Sequence, residues 1–211
     1  MKVAPSLLSA DFGRLKDEIA SVAEGGADLL HLDVMDGHFV PNLTFGPFIV
    51  EAIRRITDLP LDCHLMIEEP LRYGPEFAKA GADVVTFHVE VPGDPARTFD
   101  AIEAAGAKAG MVLNPATDVR RLEPWLPRCA MVLVMSVVPG FAGQAFLPDV
   151  LAKIPLLRGP LRYPGDVEID GGIGPATAGE AKRAGANVLV AGSAIFRAPD
   201  RAAAIRRIRE A

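Results

Sequence analysis

The sequence has little that would tie it to a membrane, a nucleic acid or an oxidising compartment. No apolar run approaches the roughly 20 residues that a membrane-spanning helix needs. Met1-Lys2-Val3-Ala4-Pro5 leads straight into strand-like sequence without a long apolar stretch, so no secretory leader is expected. Cysteine is scarce. Cys63 and Cys129 form no metal-type pair, which argues against a disulfide framework and for a reducing, cytoplasmic setting. Basic residues are outnumbered, 22 to 27, and the formal net charge of −5 argues against nucleic acid or an anionic membrane surface as partner. An anionic ligand would therefore need local positive potential, from a metal or from helix N-termini. Aromatic residues make up only 6% of a chain that is 50% hydrophobic, so the core is expected to be aliphatic. Linkers, low-complexity stretches and charge blocks are absent. So is a glycine-rich phosphate loop after the first strand: Ser6-Leu7-Leu8-Ser9-Ala10-Asp11 stands where an open, doubly wound sheet would usually place one.

What is present is alternation. Short apolar runs read as strands over 3–8, 29–34, 61–66, 84–89, 109–113, 131–136, 167–170 and 188–191. Helical patterns follow them over 14–23, 48–57, 70–80, 95–105, 119–126, 148–157, 177–184 and 201–210. Four helix-to-strand junctions share one dipeptide: Gly26-Ala27, Gly81-Ala82, Gly106-Ala107 and Gly185-Ala186. Glycine just past a helix supplies a left-handed cap and alanine enters the next strand, so the repetition points to repeated βα units. Eight units of roughly 26 residues are short but workable for an α/β (β/α)₈ TIM barrel. The near-continuous apolar strands suit a parallel sheet covered by helices. A single barrel domain over 1–211 is the reading.

Active sites of such barrels lie at the C-terminal ends of the strands, and the polar residues of interest fall there. In His31-Leu32-Asp33-Val34-Met35-Asp36-Gly37, strand alternation puts His31, Asp33 and Met35 on one face. His64-Leu65-Met66 repeats the two-residue spacing from a histidine to a second side chain on its face, and Asp170-Gly171-Gly172 ends the seventh strand. Two imidazoles and two carboxylates gathered there suit Zn²⁺, with Fe²⁺, Mn²⁺ or Co²⁺ as alternatives. His88 reads as a core histidine bonded to a backbone carbonyl. His38 reads as a loop residue, Asp36 as a turn residue bonding backbone N–H groups, and Cys63 as facing the helices.

A phosphate site is expected from Gly171-Gly172 and Gly192-Ser193, the turns after strands seven and eight, with Ser193-Ala194-Ile195-Phe196 as the short extra helix often found there. A further loop, Pro139-Gly140-Phe141-Ala142-Gly143, could close over the same end. Met35, Met66 and Met135 suggest a polarizable lining that excludes water.

With these motifs in hand, the chain resembles the ribulose-phosphate 3-epimerase family essentially end to end. The carrying segments are Ala4-Pro5-Ser6-Leu7-Leu8-Ser9-Ala10-Asp11-Phe12, His31 to Asn42, His64-Leu65-Met66, Leu113-Asn114-Pro115, Met135-Ser136, Pro139-Gly140-Phe141, Asp170-Gly171-Gly172 and Gly192-Ser193. The resemblance implies a ribulose-phosphate-binding barrel, one divalent metal per chain, and interconversion of D-ribulose 5-phosphate and D-xylulose 5-phosphate. It implies His31, Asp33, His64 and Asp170 as metal ligands and Asp33 and Asp170 as the acid/base pair. Ser6, His64, Met35, Met66, Met135, Gly140, Phe141, Ala142, Gly143, Gly171, Gly172, Gly192 and Ser193 are the expected substrate contacts, and a homo-oligomer is the expected assembly. The chain departs from the family's Asn-Pro-Gly-Phe-Gly-Gly at Val138 and Ala142. Ala142 loses easy access to positive φ, which puts that loop's geometry in question.

The chemistry stands beside the resemblance. Inverting C3 of a ketopentose removes a proton α to a carbonyl and returns one to the opposite face, so two carboxylates on opposite sides are the simplest solution. The enzymatic alternative is another ketose-phosphate epimerase, such as one acting on D-allulose 6-phosphate. The non-enzymatic alternative is a phosphosugar-binding protein, which would not need two proton-transfer groups. No Asp-x-Lys-x-x-Asp motif supports a related decarboxylase, and no lysine stands out as a Schiff-base former.

Overall fold

The computed structural model describes residues 1–211. Eight parallel strands form one sheet: β1 (Lys2–Pro5), β2 (Leu30–Met35), β3 (Leu61–Met66), β4 (Val84–His88), β5 (Lys108–Leu113), β6 (Met131–Met135), β7 (Asp166–Asp170) and β8 (Val188–Ala191). Their spatial order is β1-β8-β7-β6-β5-β4-β3-β2. A single parallel bridge between Ser6 and His31 joins the two ends of that order and closes the barrel. The helices are α1 (Leu15–Glu24), α2 (Pro47–Arg54), α3 (Pro70–Lys79), α4 (Pro95–Ala104), α5 (Lys153–Arg158), α6 (Ala178–Ala184), α7 (Ser193–Phe196) and α8 (Arg201–Glu210). None is long and apolar enough to cross a membrane.

The glycine-alanine punctuation works as its chemistry predicts. Gly26, Gly81, Gly106 and Gly185 all have φ between 90° and 112°. At three of the four junctions the following alanine N–H reaches back to the helix, as in Ala27 to Val22, Ala82 to Phe77 and Ala186 to Ala181. Each bond satisfies a carbonyl that the helix end leaves free.

Strand alternation divides the molecule into two apolar regions. One parity packs outward under the helices, where Cys63, Val85, Met111, Val132, Ile169 and Leu189 join one large core. The other parity fills the barrel. Ala4, Leu29, Val188 and Val190 form one inner group, and Val112, Leu133, Met135 and Val137 another. On the β2, β3, β4 and β7 side the interior is polar instead. His31, Asp62, His64, Thr86, His88 and Glu168 are all buried there.

Three expected elements change form. The first strand ends at Pro5 rather than residue 8, and Leu7–Ser9 turns as a 3₁₀ segment. The expected helix over 119–126 shrinks to a 3₁₀ turn at Val119–Leu122. Pro124 and Pro127 lack N–H donors, and each disfavours helical geometry in the residue before it. The helix expected over 148–157 is a 3₁₀ turn at Pro148–Ala152 followed by the short α5.

Candidate active site

The register places the polar residues side by side. Asp33 on β2 pairs with His64 on β3, and His31 pairs with Asp62. The same pleat that aligns His31 with Asp33 aligns Asp62 with His64 and Glu168 with Asp170. One ligating atom from each of His31, Asp33, His64 and Asp170 lies within 4.8 Å of all the others. His31 Nε2 and His64 Nδ1 each stand 3.3 Å from Asp33 Oδ1. Two ligands about 2.05 Å from one ion at the tetrahedral angle stand ~3.3 Å apart, so the spacing fits a single small cation. His31 Nε2 is also buried without a hydrogen-bond partner. A buried ring nitrogen aimed at a carboxylate and left unpaired is what a metal ligand looks like before the ion is added. This cluster can hold a metal ion.

Each histidine is fixed from behind. Nδ1 of His31 lies 2.6 Å from Asp62 Oδ2, and Glu168 Oε1 lies 3.7 Å from the same nitrogen. Nε2 of His64 lies 2.9 Å from Nε2 of His88, whose Nδ1 lies 3.1 Å from Glu90 Oε2. The expectation for His88 is thus corrected. It is a core histidine, but its partners are His64 and Glu90 rather than a backbone carbonyl, because its inward parity on β4 stacks it against the His64 ring.

The electrostatics separate the two aspartates. Burial pushes the Asp33 carboxyl up, but His31 and His64 outweigh it and hold Asp33 well below the usual range. Burial, then the nearby Asp33 and Asp62 charges, raise Asp170 to about 7. Burial would depress His31, yet Asp33, Asp62 and Glu168 together lift it well above an ordinary imidazole. Burial and the Asp62 charge keep the Glu168 carboxyl well above its usual range. One aspartate starts ionised beside another that can hold a proton near neutrality.

A cavity of about 430 Å³ opens above this cluster. Asp33 and Asp170 form its floor with Ser6, Met35, Met66 and Met135; Gly140, Phe141, Ala142, Gly143, Gly171, Gly172, Gly192 and Ser193 line its walls and rim. His31 and His64 are fully buried and do not reach the cavity wall, so His64 sits with the ligand cluster rather than among the lining residues. The Ser6 hydroxyl donates to Asp33 Oδ2 at 2.6 Å. His38 is exposed, and Asp36 accepts N–H groups from His38, Phe39 and Glu68.

The loop after β6 does not need the flexibility that Ala142 lacks. Positive φ falls on Gly140 (130°) and Gly143 (77°), and Ala142 has none. Asn42 Nδ2 donates to the Gly140 carbonyl, and Gln144 Nε2 donates to the carbonyls of Val138 and Phe141, which fixes the loop's shape. Sequence reasoning missed Asp62, Glu168 and Glu90. For the first two a signal existed: each lies two residues before an identified ligand and so shares its face.

The fold is thus a (β/α)₈ barrel with a histidine-aspartate cluster, able to hold a metal ion, at the C-terminal ends of its strands. Residues 2–196 match the pattern of the Ribulose-phosphate 3 epimerase family. The chain is 53% identical over 213 residues to the ribulose-phosphate 3-epimerase of Bacillus subtilis, covering 99% of this chain and 98% of that protein. It is 49% identical to the chloroplastic ribulose-5-phosphate-3-epimerase of Arabidopsis thaliana, covering 98% of this chain and 75% of that one. The chain belongs to the ribulose-phosphate 3-epimerase family. Among solved structures, the 3-hexulose-6-phosphate synthase of Salmonella typhimurium shares the fold at a TM-score of 0.73 and 20% identity, covering 100% of this chain and 97% of that one.

Proposed function

We propose that this chain interconverts D-ribulose 5-phosphate and D-xylulose 5-phosphate by proton transfer at C3. The observation that carries the reading is the Asp33–Asp170 pair, two carboxylates that share one histidine-aspartate cluster and line one cavity. Asp33 takes the C3 proton from one face of the substrate. Asp170 delivers a proton to the other face, which inverts the carbon. Ser6, donating to Asp33 Oδ2, holds that carboxylate in place. Met35, Met66 and Met135 keep bulk water from the reacting carbon. Backbone N–H groups of Gly172, Gly192 and Ser193 receive the phosphate, which anchors C3 over the aspartates.

His31, Asp33, His64 and Asp170 would hold one divalent ion, with Zn²⁺ favoured by the two-imidazole, two-carboxylate donor set and Fe²⁺, Mn²⁺ or Co²⁺ the alternatives. When bound, the ion supplies Lewis-acid stabilisation of negative charge that develops on the substrate oxygens. The free, buried thiols of Cys63 and Cys129 suit a reducing cytoplasm. Exposed Phe12, Leu43 and Phe48 beside β2 suit burial against a second copy in a homo-oligomer.

Turnover of D-ribulose 5-phosphate in D₂O tests the reading. Solvent deuterium should appear at C3 of the epimerised product. Product without deuterium would exclude exchangeable carboxylates as the proton carriers, and no product from metal-loaded protein would exclude the substrate.

A further inference from the structure

Glu90 follows β4 and lies outside the ligand cluster, but an unbroken line of hydrogen-bonding atoms connects the two. His64 Nδ1 faces Asp33, His64 Nε2 faces His88 Nε2 at 2.9 Å, and His88 Nδ1 faces Glu90 Oε2 at 3.1 Å. Both imidazoles are essentially without solvent contact, so no water can supply a missing donor or acceptor. Two facing Nε2 atoms share one proton, and with both rings neutral the line can be polarised in two ways.

In the first, Glu90 is ionised, His88 carries its proton on Nδ1, and His64 donates from Nε2, leaving the His64 Nδ1 lone pair toward Asp33. In the second, a protonated Glu90 donates to His88, His88 donates to His64, and a proton on His64 Nδ1 blocks that atom as a ligand. The other oxygen of Glu90 decides between them. Oε1 accepts the Asn114 N–H at 2.8 Å and the Thr117 hydroxyl. A carboxylate that already receives two donors, with a third on Oε2, is stabilised in its ionised form. The segment supplying those donors is itself pinned: Lys153 Nζ donates to the carbonyls of Asn114, Pro115 and Thr117 at 2.7–2.8 Å.

We propose that Glu90 is a positioning residue which, acting through His88, holds the proton of His64 on Nε2 and presents its Nδ1 lone pair to the ligand cluster. The inference rests on the reading of His64 as a metal ligand. It also gives the His88 ring a role, accepting at Nε2 from His64 and donating from Nδ1 to Glu90.

The substitution Glu90→Gln reverses the line. The Asn114 N–H can only donate and so requires an oxygen at Oε1, which turns the new NH₂ group toward His88 Nδ1. His88 would then carry its proton on Nε2 and drive the His64 proton onto Nδ1. Nitrogen-15 NMR of the zinc-loaded wild type should show His88 protonated on Nδ1 and His64 protonated on Nε2. In the Glu90→Gln protein the His88 proton should move to Nε2, and zinc affinity, read by chelator competition, should fall ~10- to 100-fold, as for loss of other groups that orient metal ligands. A side chain that merely supports the fold would leave the His88 tautomer unchanged. A variant with wild-type zinc affinity and tautomers, or a wild type with His88 protonated on Nε2, overturns the proposal. The wild-type spectrum decides even if the variant does not fold. Wild-type protein that binds no zinc would overturn the metal reading and this inference together.

Discussion

Ser6 and Asp33 meet across the seam of the barrel. Ser6 bridges β1 to His31 on β2, and its hydroxyl donates to Asp33 Oδ2 at 2.6 Å. The same residue therefore closes the sheet and orients the carboxylate assigned to proton abstraction. A hydrogen bond to an ionised group is worth about 1.5–3 kcal/mol. The metal-loaded Ser6→Ala protein should fold and lose roughly 10- to 100-fold in kcat/KM. Steady-state kinetics and circular dichroism check this, and wild-type kinetics would remove Ser6 from the site.

The four-residue cluster leads to one divalent ion per chain by elemental analysis. Chelation should abolish turnover, and added metal should restore it. Removing a direct ligand should cost more than the ~100-fold seen at most for supporting groups, so His64→Ala should lose metal far more readily than His38→Ala. Equal losses would mean that the ligand set is misassigned, since His38 is an exposed loop residue.

Gly192 has an ordinary negative φ, so backbone strain does not demand a glycine there. Space does: a Cβ at this position would sit 2.5 Å from Ser9 Oγ. In Gly192→Val the side chain must displace Ser9 or the rim of the cavity, and with it the proposed phosphate seat. Shifting a bound substrate by about an ångström can cost ~100-fold, so kcat/KM should fall by that order while the protein stays folded. Unchanged kinetics in a folded variant would put the phosphate elsewhere.

The raised affinity of Asp170 for its proton gives the metal-free protein a defined pH dependence. An unfolded aspartate titrates near 3.8 and the folded one near 7, so the folded state binds the proton more tightly. Its contribution to stability is therefore fully present below about pH 4 and is lost as pH rises through 7. Urea denaturation of metal-free protein across this range should show a steeper decline than that of metal-free Asp170→Asn. Parallel curves for the two proteins would refute the shifted titration.

Much of this molecule was legible in one dimension because its signals are local. The four glycine-alanine junctions mark helix ends, since only glycine enters the left-handed cap easily, and the observed φ values bear this out. The spacing of His31 and Asp33 fixes their common face, because strand side chains alternate whatever the sheet around them. Proline was the main source of error. Pro124 and Pro155 interrupt apolar patterns whose spacing alone reads as helix.

Tertiary structure decided what each polar side chain faces. Local pattern alone does not tell whether His88 meets a carbonyl or a second imidazole, because that depends on the stagger of β3 against β4 around a closed barrel. Nor does it tell which of two aspartates keeps its proton. Asp33 and Asp170 both lie near the C-terminal ends of their strands, two residues after another polar side chain on the same face. Their proton affinities separate because one lies against two imidazoles while the other, half-buried, feels the charges of nearby carboxylates. Residue types and their faces are properties of the chain, whereas charge is set by neighbours that only the closed barrel brings together.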